Sequence, residues 1–249
     1  STFGGRRECV NVIRKSGKTE NLIGGLILTI ISIEGASAGK TTTSAALAIQ
    51  NEAFHIPEVA AWWKKPEQEY PEWFFERQVD RWKIATEREQ DGQVIIDIDL
   101  FQPFWYNWAF DFTLFGGQTL EFVEDFYRPL LSQRKLGFPD RYFILYTSET
   151  NLRERRANDK TRLRRGFELN LNFIKPQKRY FQALNDFCPG LVCFIESVDI
   201  DSNIKKIISE LPTCKDAHRY SIELFDFMVH WLRTNKADDS KLGEGPTIL

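Results

Sequence analysis

Long hydrophobic runs are missing from this sequence of 249 residues. The longest apolar run, residues 22–33, is interrupted by two glycines, a threonine and a serine, so it is too short and too polar to span a bilayer. The chain also opens without the order of basic, apolar and small residues that marks a secretion signal. We therefore expect a cytoplasmic protein without a membrane partner.

The sequence also has few cysteines and no excess of charge of one sign. The four cysteines do not form a C-x-x-C pair, which argues against a metal site or a disulfide framework and favours a reducing compartment: Cys9, Cys188, Cys193 and Cys214. Lysine and arginine total 33 and aspartate and glutamate 35, so the chain has no overall basic bias of the kind that marks nucleic-acid binders. Any positively charged site must be local.

The apolar residues are 42% of the chain, enough for the core of one domain, and they are arranged rhythmically. Short apolar runs at 26–33, 93–98, 142–146 and 191–195, with a weaker one at 53–59, have the length of strands buried on both faces. Helical spacing fills the intervals at 40–50, 71–90, 120–133, 149–158, 167–187, 200–211 and 220–233. This alternation predicts an α/β fold with a central parallel sheet of about five strands and helices on both faces.

The ends of the chain differ from this pattern. Residues 1–25 contain two Gly-Gly pairs and a basic stretch, and we interpret them as an N-terminal appendage. Residues 236–249 are polar and form a C-terminal tail. The main domain is therefore expected to span 26–235.

A segment of small residues follows the first predicted strand and leads directly into the first helix. It reads Gly35-Ala36-Ser37-Ala38-Gly39-Lys40-Thr41, and with Thr42 it forms the candidate nucleotide-binding segment. Its backbone N–H groups and the helix N-terminus can surround phosphates, Lys40 can reach the outer phosphates, and the Thr41 hydroxyl can ligate Mg²⁺.

The segment is typical of a phosphate-binding loop (P-loop) in a three-layer P-loop NTPase fold. The usual pattern has four residues between the glycines, whereas three separate Gly35 from Gly39. Either Glu34 takes the first loop position or the loop is one residue shorter.

Later segments of the chain resemble parts of deoxynucleoside and thymidylate kinases. Ile56-Pro57-Glu58-Val59-Ala60-Ala61-Trp62 is similar to the Glu-Pro-x-x-x-Trp segment of deoxynucleoside kinases, although the proline here precedes the glutamate. In that family the glutamate accepts the proton of the substrate hydroxyl. The resemblance therefore implies that Glu58 is the catalytic base.

The third predicted strand ends in two carboxylates, Asp97 and Asp99, which lie on one face of an extended chain. We expect Asp97 in the shell of a Mg²⁺ ion and Asp99 in that shell or at the substrate, where it is the alternative base. The arginine that these kinase families carry after this strand is absent. The basic group that clamps the acceptor must then come from elsewhere, or the acceptor differs.

An arginine-rich segment follows the fourth predicted strand and its helix. Arg162-Leu163-Arg164 resembles the lid of the same kinases, and the lid is expected at about 157–166. Phosphoryl transfer depends mainly on positioning and on neutralising charge, so guanidinium groups that close over the transferring group would be catalytic. We assign this role to Arg162 and Arg164, with Arg155 or Arg156 in support.

The expected protein is thus a cytoplasmic small-molecule kinase that uses ATP and Mg²⁺ and acts first on a nucleoside or nucleotide. Its aromatic residues crowd the half of the chain that should hold the acceptor, although most are expected to be core. Two alternatives stay open: an antibiotic or metabolite O-phosphotransferase, and a nucleotide-binding regulatory NTPase. Acceptor identity, ATP or GTP as donor, and a homodimer also remain open.

Overall fold

Five parallel strands form the centre of the protein. The computed structural model describes residues 29–68, 70–114, 117–158, 167–211 and 218–237. The strands are β1 Ile30–Glu34, β2 Phe54–Ile56, β3 Val94–Asp97, β4 Arg141–Tyr146 and β5 Val192–Glu196, in the order β2-β3-β1-β4-β5. The predicted α/β fold with about five parallel strands is confirmed.

The helices of the described residues lie between and after these strands. They are α1 Lys40–Gln50, α2 Val59–Trp62, α3 Trp73–Arg88, α4 Gln102–Ala109, α5 Leu120–Ser132, α6 Glu149–Asn158, α7 Phe167–Phe187, α8 Ile200–Ser209 and α9 Ile222–Thr234. The seven helices expected from spacing are present, with ends that differ from the expectation by at most two residues. The structure adds α2 and α4, which the sequence analysis did not predict.

Successive side chains of the strands point to opposite faces of the sheet, and each face has its own hydrophobic core. On one face, Ile31 and Ile33 of β1 pack with Leu47 of α1 and Ile207 of α8. On the other face, Ile30 belongs to a larger cluster that includes residues of helices α3, α4, α5, α7 and α9. Both faces of the sheet are therefore covered, as parallel sheets require.

Most of the aromatic residues belong to the larger core, as expected. Phe101 stacks on Phe138 with ring centroids 4.2 Å apart, and Phe104 and Trp105 of α4 are fully buried. Trp62 is an exception, with 41% of its surface exposed.

Parallel strands and their connections bring particular residues to one edge of the sheet. In the register of the sheet, Ile33 of β1 lies beside Asp97 of β3 and Phe143 of β4. The loop after β1 and the acidic end of β3 are therefore neighbours. No helix among the described residues is long and apolar enough to cross a membrane. The N-terminal appendage, the end of the tail at 238–249, Arg162 and Arg164 lie outside those residues.

Candidate functional site

The glycine-rich loop turns between β1 and α1 through residues with positive φ. Gly35, Ser37 and Gly39 have φ values of 137°, 56° and 91°. A Cβ atom at Gly35 would lie 2.2 Å from the carbonyl oxygen of Leu145 in β4, so only glycine fits this close approach. The turn places Gly39 immediately before the first residue of α1, where the free N–H groups of a helix begin.

Glu34 belongs to β1, and this favours the shorter-loop interpretation. Its buried carboxylate accepts hydrogen bonds from the backbone N–H of Asp99 at 2.8 Å, that of Gly35 at 3.1 Å and the Gln177 amide at 3.1 Å. Burial raises the pKa of Glu34 to about 7, against the lowering effect of Lys40 and of these donors. The Glu34 side chain therefore connects the start of the loop to the segment that follows β3 and to α7.

Lys40 connects the loop to two carboxylates from other elements. Its ammonium forms a short ion pair with Glu58, which precedes α2, and lies 3.8 Å from Asp97 at the end of β3. Burial alone would lower the pKa of Lys40, but the attraction of Asp97, Glu58 and Glu34 outweighs it and raises the pKa. The structure thus brings together Lys40, Glu58 and Asp97, which the sequence analysis had selected separately.

Asp97 has the character of a cation ligand. Its side chain is fully buried, and within the described residues neither carboxylate oxygen has a hydrogen bond of normal geometry. Burial raises its pKa, while Lys40 and the neighbouring Thr41 hydroxyl oppose that rise. Two buried, unsatisfied oxygens beside a threonine hydroxyl suit Mg²⁺, which takes oxygen ligands and keeps several of its waters.

Asp99 is held by donors on every side. Its carboxylate accepts hydrogen bonds from the Phe101 N–H at 3.0 Å, the Trp105 indole at 3.1 Å and the Tyr142 hydroxyl at 2.8 Å. The residue is fully buried, and this burial raises its pKa to about 6. Such bonds suit a residue that joins β3, α4 and β4, whereas a base must face the acceptor.

A cavity of about 590 Å³ opens next to the Lys40–Glu58 pair. Its lining includes one carboxylate, five aromatic rings, two lysines and two polar residues of α3: Glu58; Trp63, Trp73, Phe74, Phe75 and Tyr106; Lys64 and Lys65; Gln78 and Arg81. The volume falls in the range of small-molecule sites, and flat rings with a few polar groups are typical of their walls.

Arg81 lines the candidate site, and the sequence analysis did not select it. It is fully buried in α3, and its guanidinium donates to the Gln78 side chain and to the carbonyl oxygens of Asp97 and Ile98. A basic group thus reaches the end of β3 from α3 rather than from the segment after the strand. The available signal was two polar residues, Gln78 and Arg81, among the buried positions of an amphipathic helix.

The supporting arginines of α6 have different contacts. Arg155 donates to the carbonyl oxygens of Ser197 at 2.7 Å and Val198 at 2.9 Å, and the Ser197 hydroxyl donates to Ala38 in the loop at 2.9 Å. Arg156 instead pairs with Glu168 at 2.9 Å. Arg155 therefore links α6 to the phosphate loop through Ser197.

Comparison with known proteins gave matches only among solved structures. No protein-family model matches the chain, and no curated protein matches it. Deoxyadenosine kinase from M. mycoides with bound dATP is 17% identical, with 72% of this chain and 97% of that chain covered and a TM-score of 0.48. Thymidylate kinase from Candida albicans is 14% identical, with coverages of 73% and 89% and a TM-score of 0.49.

A thymidylate kinase from Ehrlichia chaffeensis is also 14% identical, with coverages of 74% and 98% and a TM-score of 0.47. The chain is thus similar to members of the kinase group that its motifs resemble. At these identities and TM-scores the similarity carries no argument about activity.

Proposed function

We propose that this chain is a Mg-ATP-dependent phosphotransferase that acts on a nucleoside or nucleotide. The observation that carries the proposal is the contact between Lys40 and Glu58. It joins a phosphate-binding loop at one side to the mouth of an aromatic cavity at the other. A donor and an acceptor bound in these two places would meet at that contact, as phosphoryl transfer requires.

The donor side of the proposed site is built from backbone and from Lys40. Residues 35–39 and the first turn of α1 would direct N–H groups at the phosphates of ATP, and the Lys40 ammonium would move from its carboxylate partners to the outer phosphates. Asp97 and Thr41 would hold Mg²⁺, which neutralises phosphate charge when it is bound. Arg162 and Arg164 would cover the transferring group.

On the acceptor side, we assign the base role to Glu58. This carboxylate lines the cavity and is 39% exposed, whereas Asp99 is fully enclosed by its donors. As the acceptor oxygen attacks the γ-phosphorus, the bond from phosphorus to the β–γ bridging oxygen breaks, ADP leaves and the hydroxyl proton passes to Glu58. The proton of a nucleoside hydroxyl can pass to this carboxylate, so a nucleoside is the first acceptor proposed, while Lys64 and Lys65 on the same cavity wall suit the phosphate of a nucleotide.

A coupled assay of ADP formation tests the proposal. The protein would be incubated with Mg-ATP and one member of a panel of nucleosides, nucleoside monophosphates, aminoglycosides or sugar alcohols, and the phosphorylated product identified by mass spectrometry. We expect a nucleoside to give turnover that is absent from the Lys40→Ala variant prepared in parallel. Turnover with antibiotics or sugar alcohols alone would replace the proposed acceptor, and nucleotide binding without turnover on any acceptor would favour a regulatory NTPase.

A further inference from the structure

The hydroxyl of Ser197, directly after β5, lies against the phosphate loop. It donates a hydrogen bond to the carbonyl oxygen of Ala38 at 2.9 Å, and it accepts bonds from the Asn203 amide at 3.1 Å and from Arg155 at 3.3 Å. Ser197, Asn203 and Ala38 are all buried. A hydroxyl has one proton and two acceptor sites, so these three contacts use its full capacity.

The donors around Ser197 fix the direction of its proton. Arg155 and the amide nitrogen of Asn203 can only donate, so the single hydroxyl proton is left for the carbonyl oxygen of Ala38. The same amide nitrogen lies 3.3 Å from the hydroxyl of Thr43 in the first turn of α1. If the amide turned over, its oxygen would compete for the Ser197 proton and the Ala38 carbonyl would lose its donor.

The loop by itself does not fix the plane of the peptide between Ala38 and Gly39. Gly39 has a φ of 91°, and among the described residues no atom lies within 4 Å of the position that a Cβ would take there. Glycine adopts positive and negative φ about equally well, so this peptide can turn over at little steric cost. The carbonyl and the N–H of a trans peptide point in opposite directions. A bond from Ser197 to the Ala38 carbonyl therefore directs the Gly39 N–H away from β5.

We infer that Ser197 is a positioning residue of the phosphate loop, which holds the Ala38 carbonyl and thereby aims the Gly39 N–H at a bound phosphate. The inference rests on the proposed function, because it concerns the donor side of that site. Backbone N–H groups at the start of a helix bind phosphate oxygens, whatever is attached to the phosphate. Ser197 should therefore affect every ligand that has the phosphate chain of ATP.

Calorimetric titration with Mg-ATP and with magnesium tripolyphosphate tests the inference without an acceptor. Tripolyphosphate has the phosphate chain of ATP but no base or ribose, so it reports on the loop alone. Ser197→Ala should weaken the binding of both ligands by the same factor, about 10-fold or more, because a misdirected N–H loses a charge-assisted hydrogen bond. Weaker binding of ATP with unchanged binding of tripolyphosphate would overturn the inference, since Ser197 would then act on the nucleoside part.

Further variants separate the hydrogen bond from packing. Ser197→Cys keeps nearly the same volume but has only a weak donor, so it should bind both ligands as weakly as Ser197→Ala. Ser197→Thr keeps the hydroxyl and should restore most of the affinity. Ser209→Ala, at the exposed end of α8, is the matched control and should bind both ligands as the wild type does. Wild-type affinity in Ser197→Cys would mean that the hydrogen bond has no role.

Asn203→Asp tests the same hydrogen bond with Ser197 in place. The carboxylate has the size of the amide, and the neighbouring Arg155 favours its ionised form, so it can only accept and draws the Ser197 proton away from Ala38. Binding of tripolyphosphate should weaken in this variant. In the Ser197→Ala background the same change should have a much smaller effect. Equal effects in both backgrounds would contradict the inference, because the added charge would then act directly on the ligand.

The outcomes separate this inference from the proposed function. Equal weakening of both ligands in Ser197→Ala, without phosphoryl transfer by the wild type to any acceptor, would reject the kinase proposal and leave the role of Ser197 standing. Transfer by the wild type, with unchanged tripolyphosphate binding in Ser197→Ala, would overturn the role of Ser197 and leave the kinase standing. The inference also fails if the wild type does not bind tripolyphosphate at millimolar concentration.

Discussion

Replacing Glu58 by glutamine removes the proposed base and almost nothing else. The amide has the size of the carboxylate, and Glu58 is 39% exposed at the start of α2, so its pair with Lys40 is not a deeply buried one. Partly exposed ion pairs of this kind contribute at most about 1 kcal/mol to stability. The free energy of unfolding of Glu58→Gln should therefore stay within about 1 kcal/mol of the wild-type value.

The effect on transfer should be much larger than the effect on folding or on ATP. Loss of a general base lowers turnover by about 10²–10⁴, equivalent to about 3–5 kcal/mol of transition-state free energy. Lys40 keeps its attraction to Asp97 at 3.8 Å, about 4 kcal/mol at an effective dielectric constant of about 20, and loses only the competition from Glu58. The dissociation constant for ATP should therefore be unchanged or fall by no more than about 10-fold.

Three measurements check this prediction: acceptor-dependent ADP formation, calorimetric titration with Mg-ATP and urea unfolding. Glu87→Gln, an exposed glutamate on α3, is the matched control and should match the wild type in all three. Turnover of Glu58→Gln within about 3-fold of the wild type would refute the assignment, since a base contributes about 10² or more. If Asp99→Asn then abolished transfer while staying folded, the base role would move to Asp99.

Three other predictions concern Lys40, the arginines of the expected lid and Glu34. Lys40→Ala should lower turnover by about 10² or more with unchanged circular dichroism, because its charge meets the phosphates late in the reaction; normal turnover would remove the P-loop assignment. Arg162→Ala and Arg164→Ala should each lower kcat more than they raise KM for ATP, whereas Arg14→Ala should change neither; equal small effects in all three would reject a lid. Glu34 binds its proton more tightly in the folded protein, where its pKa is about 7, than in the unfolded chain, where it is about 4.5. Its contribution to the free energy of unfolding therefore falls as the pH rises from 4.5 to 7, by at most about 3 kcal/mol. Urea unfolding at pH 5.5 and 8 should show that the free energy of unfolding falls in the wild type and falls less in Glu34→Gln. An equal fall in the two proteins would contradict the prediction.

The sheet and the glycine-rich turn between β1 and α1 could be predicted because their signals are local. A strand buried on both faces must be apolar along its whole length, so runs such as 142–146 are recognisable without knowledge of their neighbours. The loop needs small residues before a lysine at a helix start, and that requirement is visible as a short string. Glu58 could be selected because its segment resembles a kinase motif, and Asp97 because it ends a recognisable strand.

Helix α4 could not be predicted from spacing because it lacks a polar face. Six of its eight residues are buried, so its sequence has no 3.6-residue alternation between apolar and polar positions. Proline at its first turn marks a helix start only when a helix is already suspected. Residues 101–117 consequently match no acceptor site that can be recognised from the sequence alone.

Arg81 could not be predicted because its role depends on a tertiary contact. The kinase resemblance directed the search for a basic group to the residues after β3, and that group was absent. In the structure a guanidinium from α3 reaches the carbonyls of Asp97 and Ile98, across 16 and 17 residues of sequence. Only the packing of α3 beside β3 brings them together.

The balance of charge at this edge of the sheet explains how an acidic cluster can serve a polyanion. Two cations lie among four carboxylates: Lys40 and Arg81, with Glu34, Glu58, Asp97 and Asp99. If all six groups were ionised, the cluster would carry two excess negative charges. Burial opposes this full ionisation, because it raises the pKa of Glu34 to about 7 and that of Asp99 to about 6. A divalent cation bound with ATP would match that excess, while the loop's N–H groups face the phosphates. Binding of Mg²⁺ by itself should then release protons near neutral pH, because its positive charge favours the ionised carboxylates, whereas the ATP phosphates act in the opposite direction.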